Sequence, residues 1–137
     1  MTPIAIDIVS DIACPWCAIG YARLEKAMDA LKDDMDFTVA WHAFEAFFEA
    51  YFGRAENISN PDTLIHCVET IGLDGSQARE VLASDQYAEA VREEEAQYQQ
   101  AGVSAVPAYI INQKYLISGA QEPDTLINAF REIAVSA

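Results

Sequence analysis

Two cysteines stand three positions apart in Cys14-Pro15-Trp16-Cys17, directly after a short apolar run and at the start of a segment with helical periodicity. At that spacing two thiols can join and part with little backbone movement, so the chemistry they suggest is reversible disulfide exchange. A thiol at a helix start lies beside unpaired backbone N–H groups and the positive end of the helix dipole, which favour its thiolate. Cys14 is therefore expected to be the attacking nucleophile. Cys17, one turn further in and partly buried, is expected to resolve the mixed disulfide formed on Cys14. Pro15 suits the first helical turn, where its missing N–H has no partner to lose and its fixed φ already matches the helix.

The other residues that could do chemistry point elsewhere. A structural zinc site needs four ligands, and the sequence has no second C-x-x-C and no H-x-x-x-H to complete one. The expectation is no metal. Cys67 falls on an apolar helical face and reads as a small buried hydrophobe, with a second redox or regulatory thiol as its alternative. His42 and His66 read as structural, because thiol–disulfide exchange here needs no histidine base. Asp11 reads as a turn or capping residue, ahead of a part in proton transfer at Cys17. Trp16 either shapes the surface around the sulfurs or packs against the fold, and the sequence leaves both open.

With 137 residues the chain is expected to form one domain with a substantial core. A formal net charge of −14 and a pI near 4.2 argue against nucleic-acid or anionic-membrane partners. No apolar run approaches the ~18 residues that span a bilayer. The opening MTPIAIDIVSD has no basic stretch and carries Asp7 within its apolar run, unlike a secretory signal, so a cytoplasmic location is expected. Three cysteines do not make a secreted disulfide framework, which suits a reducing compartment.

Ile4, Ile6 and Ile8 alternate with Ala5, Asp7 and Val9, which predicts a strand. Cys17, Tyr21, Leu24, Met28 and Leu31 then share one face of a helix that ends in the acidic cluster Asp33, Asp34 and Asp36. Phe37, Val39 and Trp41 predict a second strand, completing a βαβ unit. From about Phe44 to Gln100 the pattern is helical. An aromatic first helix carries Phe47, Phe48, Tyr51 and Phe52; a second is capped by Asn60-Pro61-Asp62 and stopped by Gly72; a third covers Ser76 to Ala83; a fourth, capped by Asp85, runs to Gln100 with a weak apolar stripe. Ala108 to Ile111 and Tyr115 to Ile117 predict a hairpin, and Pro123 opens a last helix with Leu126, Ile127, Phe130 and Ile133 inward. The order βαβ, helical block, ββα is that of an α/β thioredoxin-like fold. It predicts a single domain over residues 1–137 with a helical insertion at about 43–101.

Ser10-Asp11 before the cysteine pair, Trp41-His42 after the second strand, Gly102 to Pro107, and Ser118-Gly119-Ala120-Gln121 together resemble the DsbA-like family, and within it the FrnE-like branch, which is related to 2-hydroxychromene-2-carboxylate isomerases. The likeness runs through nearly the whole chain in order. It implies a thiol–disulfide oxidoreductase acting on protein or small-thiol disulfides, with Cys14 attacking, Cys17 resolving and Pro107 as a cis-proline across from the pair. A cis bond there would turn the backbone of Val106 outward, so that Trp16, Val106 and Pro107 form the substrate-binding surface. The redox-active pair is then its own cofactor, with glutathione as a candidate co-substrate.

The chain departs from the branch at His42-Ala43-Phe44-Glu45, which runs almost directly into the aromatic segment where FrnE-like proteins carry a longer insert. A shortened insertion predicts partial exposure of Phe44, Phe47, Phe48, Tyr51 and Phe52, and a more open site or a homodimer that covers them. Two other functions stay open beside disulfide exchange. One is a glutathione-dependent isomerase, against which Cys14 argues because that branch typically carries serine there. The other is an interaction module that has kept the motif and lost the activity.

Overall fold

The structure is a computed structural model that describes residues 1–39 and 42–136, the side chains of 42–44 excepted. In chain order the elements are strand β1 (Thr2–Val9), helix α1 (Pro15–Ala30), strand β2 (Met35–Val39), helices α2 (His42–Phe48), α3 (Pro61–Thr70), α4 (Gly75–Leu82) and α5 (Ala88–Gln100), strands β3 (Ala108–Ile111) and β4 (Tyr115–Ser118), and helix α6 (Pro123–Ser136). They fall into two compact units, one made of Met1–Ala40 with Ala105–Ala137 and the other of Trp41–Ser104.

In the first unit the sheet order is β2-β1-β3-β4, with β1 parallel to β2 and antiparallel to β3, and β3 antiparallel to β4. This is the α/β thioredoxin-like arrangement that the element order predicts. The alternation in β1 does what period two requires: Ile4 and Ile6 are buried while Ala5 and Asp7 are exposed. On the buried face they join Tyr109 and Ile111 of β3, Leu24, Ala27 and Leu31 from α1 and its cap, and Leu126, Phe130 and Ile133 of α6. Each such side chain contributes about 1.5–3 kcal/mol by leaving water. Phe130 also meets Phe37 edge-on, at 5.3 Å between ring centroids.

Two boundaries differ from the sequence reading. Helix α1 ends at Ala30, and Asp36 lies inside β2 instead of closing the helix. The reason is Met35, which is buried and extends the inward set Met35, Phe37, Val39 by one step, leaving Asp36 and Thr38 outside. Trp41, read as part of this strand, lies outside the described residues. The β3–β4 hairpin turns at Asn112 and Gln113, both left-handed with φ of 51° and 55°. Asparagine tolerates that conformation, and here it does more: its N–H donates to the Ala5 carbonyl and its Oδ1 accepts from the Ala5 N–H, each at 2.9 Å, adding a rung between β1 and the turn.

The second unit is helical. Helix α2 continues as a wider π-helical turn over Glu49–Gly53, and Phe48, Ala50, Ile65, Cys67 and Val103 are buried. Of the aromatic segment, Phe48 is buried and Tyr51 and Phe52 are exposed; Phe44 is among the residues whose side chains are not described. Asn60 caps α3 by accepting the Asp62 N–H at 3.0 Å, with Pro61 at the first position. Gly72, at φ +84°, ends that helix. Asp74 caps α4 by accepting from Ser76 and Gln77, so the helix opens one residue before the expected Ser76. Helix α5 opens at Ala88, after Tyr87, and not at a cap formed by Asp85. None of its residues is buried, as its weak apolar stripe allows. No helix among the described residues is long and apolar enough to cross a membrane.

Candidate active site

Cys14, Trp16, Cys17, Val106 and Pro107 all belong to the unit built on the sheet. Cys14 is the N-cap of α1 and is half-buried; its carbonyl accepts the Cys17 N–H at 3.1 Å and the Ala18 N–H at 3.4 Å, which starts the helix. The loop before it is held by Asp11. The Asp11 carbonyl accepts from the Cys14 N–H at 3.1 Å, and its Oδ1 accepts from Ala13 at 2.8 Å. The turn role read from the sequence is what Asp11 performs, with one addition: its own N–H donates to the Cys17 sulfur at 3.4 Å.

Cys17 is 1% exposed. Burial, the largest cause, pushes its thiol up to about 12; the Asp11 N–H opposes that rise, while the hydrogen-bonded Cys14 thiol and the Asp11 carboxylate add to it. Both cysteines are free thiols. One thiol reaches the surface and its neighbour is kept protonated beneath it, an asymmetry suited to attack by the first and delayed attack by the second.

Val106–Pro107 is a cis peptide, with Pro107 fully buried and Val106 37% exposed. Trp16 is 59% exposed. Pro107 is anchored through its carbonyl, which accepts the Gly119 N–H at 2.8 Å. The Ser118-Gly119-Ala120-Gln121 stretch is folded back by Gln121 Nε2, which donates to the Ser118 carbonyl at 2.8 Å. Arg23 of α1 fastens the same stretch, donating to the Ala120 carbonyl and pairing with Glu122, each at 2.6 Å.

Sequence reasoning missed Gly20 and Tyr109. A Cβ on Gly20 would lie 2.5 Å from the Tyr109 hydroxyl oxygen and 2.9 Å from Pro107 Cγ, so α1 lies directly against β3 and the buried proline at this point. A signal existed: glycine inside a helix costs about 1 kcal/mol against alanine and needs a reason. Tyr109 is 1% exposed, and burial raises its hydroxyl well above the usual tyrosine range. Cys67 is buried in the other unit, where its thiol donates to the Ala46 carbonyl at 3.6 Å. His42 belongs to the residues whose side chains are not described. Among the described residues, no three His, Cys, Asp or Glu side chains gather as a metal site.

A thioredoxin-like sheet with an N-capping cysteine, a buried partner one turn on and a cis-proline in the same unit defines a dithiol member of the thioredoxin class. Residues 38–131 match the DSBA-like thioredoxin domain, and the chain belongs to that family. Its fold is that of a probable DsbA oxidoreductase from Streptomyces coelicolor, to which it is 21% identical, with a TM-score of 0.84 over 97% of this chain and 90% of that one. DsbA from Xylella fastidiosa superposes with a TM-score of 0.66 at 15% identity, over 99% of this chain and 87% of its own. The chain is also 31% identical over 86 residues to YwbO, an uncharacterized protein of Bacillus subtilis; that match covers 62% of this chain and 42% of YwbO.

Proposed function

We propose that the protein is a thiol–disulfide oxidoreductase of the FrnE-like kind, with Cys14 attacking and Cys17 resolving. The observation that carries this reading is the asymmetry of the pair: a half-buried Cys14 at the helix cap and a Cys17 that is 1% exposed. In the first step the Cys14 thiolate attacks one sulfur of a substrate disulfide; a Cys14–substrate disulfide forms and the other substrate sulfur leaves as a thiolate. In the second, Cys17 loses its proton and attacks Cys14. The Cys14–Cys17 disulfide forms, and the substrate sulfur departs and takes up a proton. The substrate is reduced by two electrons and the pair is oxidised; run backwards, the pair oxidises a dithiol. Exposed Trp16, between the two cysteines in sequence, and exposed Val106, before the cis-proline, offer apolar surface for a polypeptide or a small thiol such as glutathione. In a reducing compartment such as the cytoplasm, the pair works as a reductase or isomerase.

The test is a redox titration in glutathione buffers, read by mass after thiol alkylation. A two-electron transition confined to Cys14 and Cys17, and loss of insulin-disulfide reduction in Cys14→Ser, are expected. A pair locked in one state across the titration sinks the reading in favour of an interaction module.

A further inference from the structure

Among the described residues, two side-chain oxygens are buried without a hydrogen-bond partner, Ser10 Oγ and Tyr109 Oη. Such orphans are rare and call for a reason. Ser10 directly precedes Asp11, whose N–H donates to the Cys17 sulfur, and stands two residues beyond Ile8, the ladder partner of Tyr109. The Tyr109 hydroxyl fills the hollow left by Gly20, one turn after Cys17 on the buried side of α1, close enough for the Cys17 charge to act on it. No charged side chain is buried among the described residues, so no buried carboxylate is there to assist Cys17. Cys14 and Asp11 act on Cys17, and Cys17 in turn acts on Tyr109.

We propose that the Tyr109 hydroxyl, seconded by Ser10, is the hydrogen-bond donor that steadies the Cys17 sulfur as it gives up its proton and attacks the mixed disulfide on Cys14. This rests on the proposed exchange reaction and assigns the part of it in which the buried thiol must ionise. The balance is that of the resolving step: the Cys17 proton leaves through solvent to the departing substrate sulfur, the Cys17–Cys14 bond forms and the Cys14–substrate bond breaks. Tyr109 keeps its own proton throughout. Its raised hydroxyl pKa holds it as a donor across the working range. A hydroxyl idle in the dithiol state then finds its partner only when charge develops, which is where a donor accelerates a step.

Reaction with Ellman's reagent separates the two steps. Attack by Cys14 releases one thionitrobenzoate, and resolution by Cys17 releases a second, the product of each phase being assigned by mass. In Tyr109→Phe the first phase is expected to stay within about twofold of wild type while the second slows about tenfold or more, as loss of a hydrogen bond to a charged group implies. The pH midpoint of the second phase moves up by about one unit, and both proteins reach the same alkaline plateau. Ser10→Ala shifts the second phase the same way by a smaller factor. A second phase within twofold of wild type in Tyr109→Phe, or equal slowing of both phases, overturns the role of Tyr109. A wild-type protein that never releases the second thionitrobenzoate overturns the exchange reaction itself, and the assignment with it.

Discussion

The unit that carries the cysteine pair closes its four-stranded sheet and two helices onto one core, from Ile4 through Phe130 to Ile133. The helical unit spreads a similar length of chain over α2 to α5 and buries fewer large side chains, chiefly Phe48 and Ile65, while Leu73, Leu82, Tyr87 and Val91 remain exposed. Charge follows the same division. Residues 41–104 hold twelve acidic and three basic side chains, against ten and five in the rest of the chain. The difference shows where exact placement matters: the sulfurs, the proline and Tyr109 are fixed by dense packing, and the helical unit is left free to vary its surface.

The largest effect expected from this contrast is at Phe130, which is fully buried and touches Phe37. Phe130→Ala should lower stability by about 3–5 kcal/mol, measured by urea unfolding, whereas Leu82→Ala, at a site 44% exposed, should cost under about 1 kcal/mol. Comparable losses would erase the distinction between the units.

Cys17 sharpens the contrast through pH. An unfolded cysteine ionises near 8.5, and the folded thiol is pushed up to about 12. Below that window both states are protonated and stability is intact. Within it the unfolded chain releases a proton that the native state keeps, so stability falls as pH rises, by up to about 1.4 kcal/mol per pH unit. Unfolding of the reduced protein at successive alkaline pH values should show this slope, and in Cys17→Ala it should be shallower, because the buried Tyr109 and Cys67 still contribute to it. An equal slope in both would remove the burial argument.

Glycines give the next comparison. Gly20→Ala drives a methyl against Tyr109 and Pro107 and should cost about 1–3 kcal/mol together with a loss of exchange activity. Gly72→Ala meets nothing within 4 Å and should cost only the strain of its positive φ, about 1 kcal/mol, with exchange unchanged. The smallest effect belongs to the exposed Arg79–Asp62 pair, 2.8 Å long. Arg79→Gln should lower the unfolding free energy measured in urea by no more than about 0.5 kcal/mol.

Much of the site was legible in the chain because its chemistry is local. The cysteine spacing, Pro15 and the alternation of Ile4 and Ile6 all act within a few residues, and the strand and helix they predict are present. What escaped notice was long-range: Tyr109 meets α1 only after the chain has passed through the whole helical unit, and its pattern in β3 is that of any inward aromatic. Met35 moved a strand boundary because one buried side chain outweighed the acidic run around it. The π-helical turn at Glu49–Gly53 and the absence of an Asp85 cap follow from packing that no local pattern carries.

β1 holds both β2 and β3, and its two partnerships mature at different times. As the chain is synthesised, β2 is available within some thirty residues, but β3 and the Asn112 turn that pairs with Ala5 arrive about a hundred residues after β1. Through that interval one edge of β1 has no ladder partner, and the Cys14–Cys17 dithiol exists without the proline and tyrosine that later close around it. The nascent polypeptide thus passes through a stage with an open sheet edge and uncovered thiols, the stage at which chaperones and cellular reductants have most to act on.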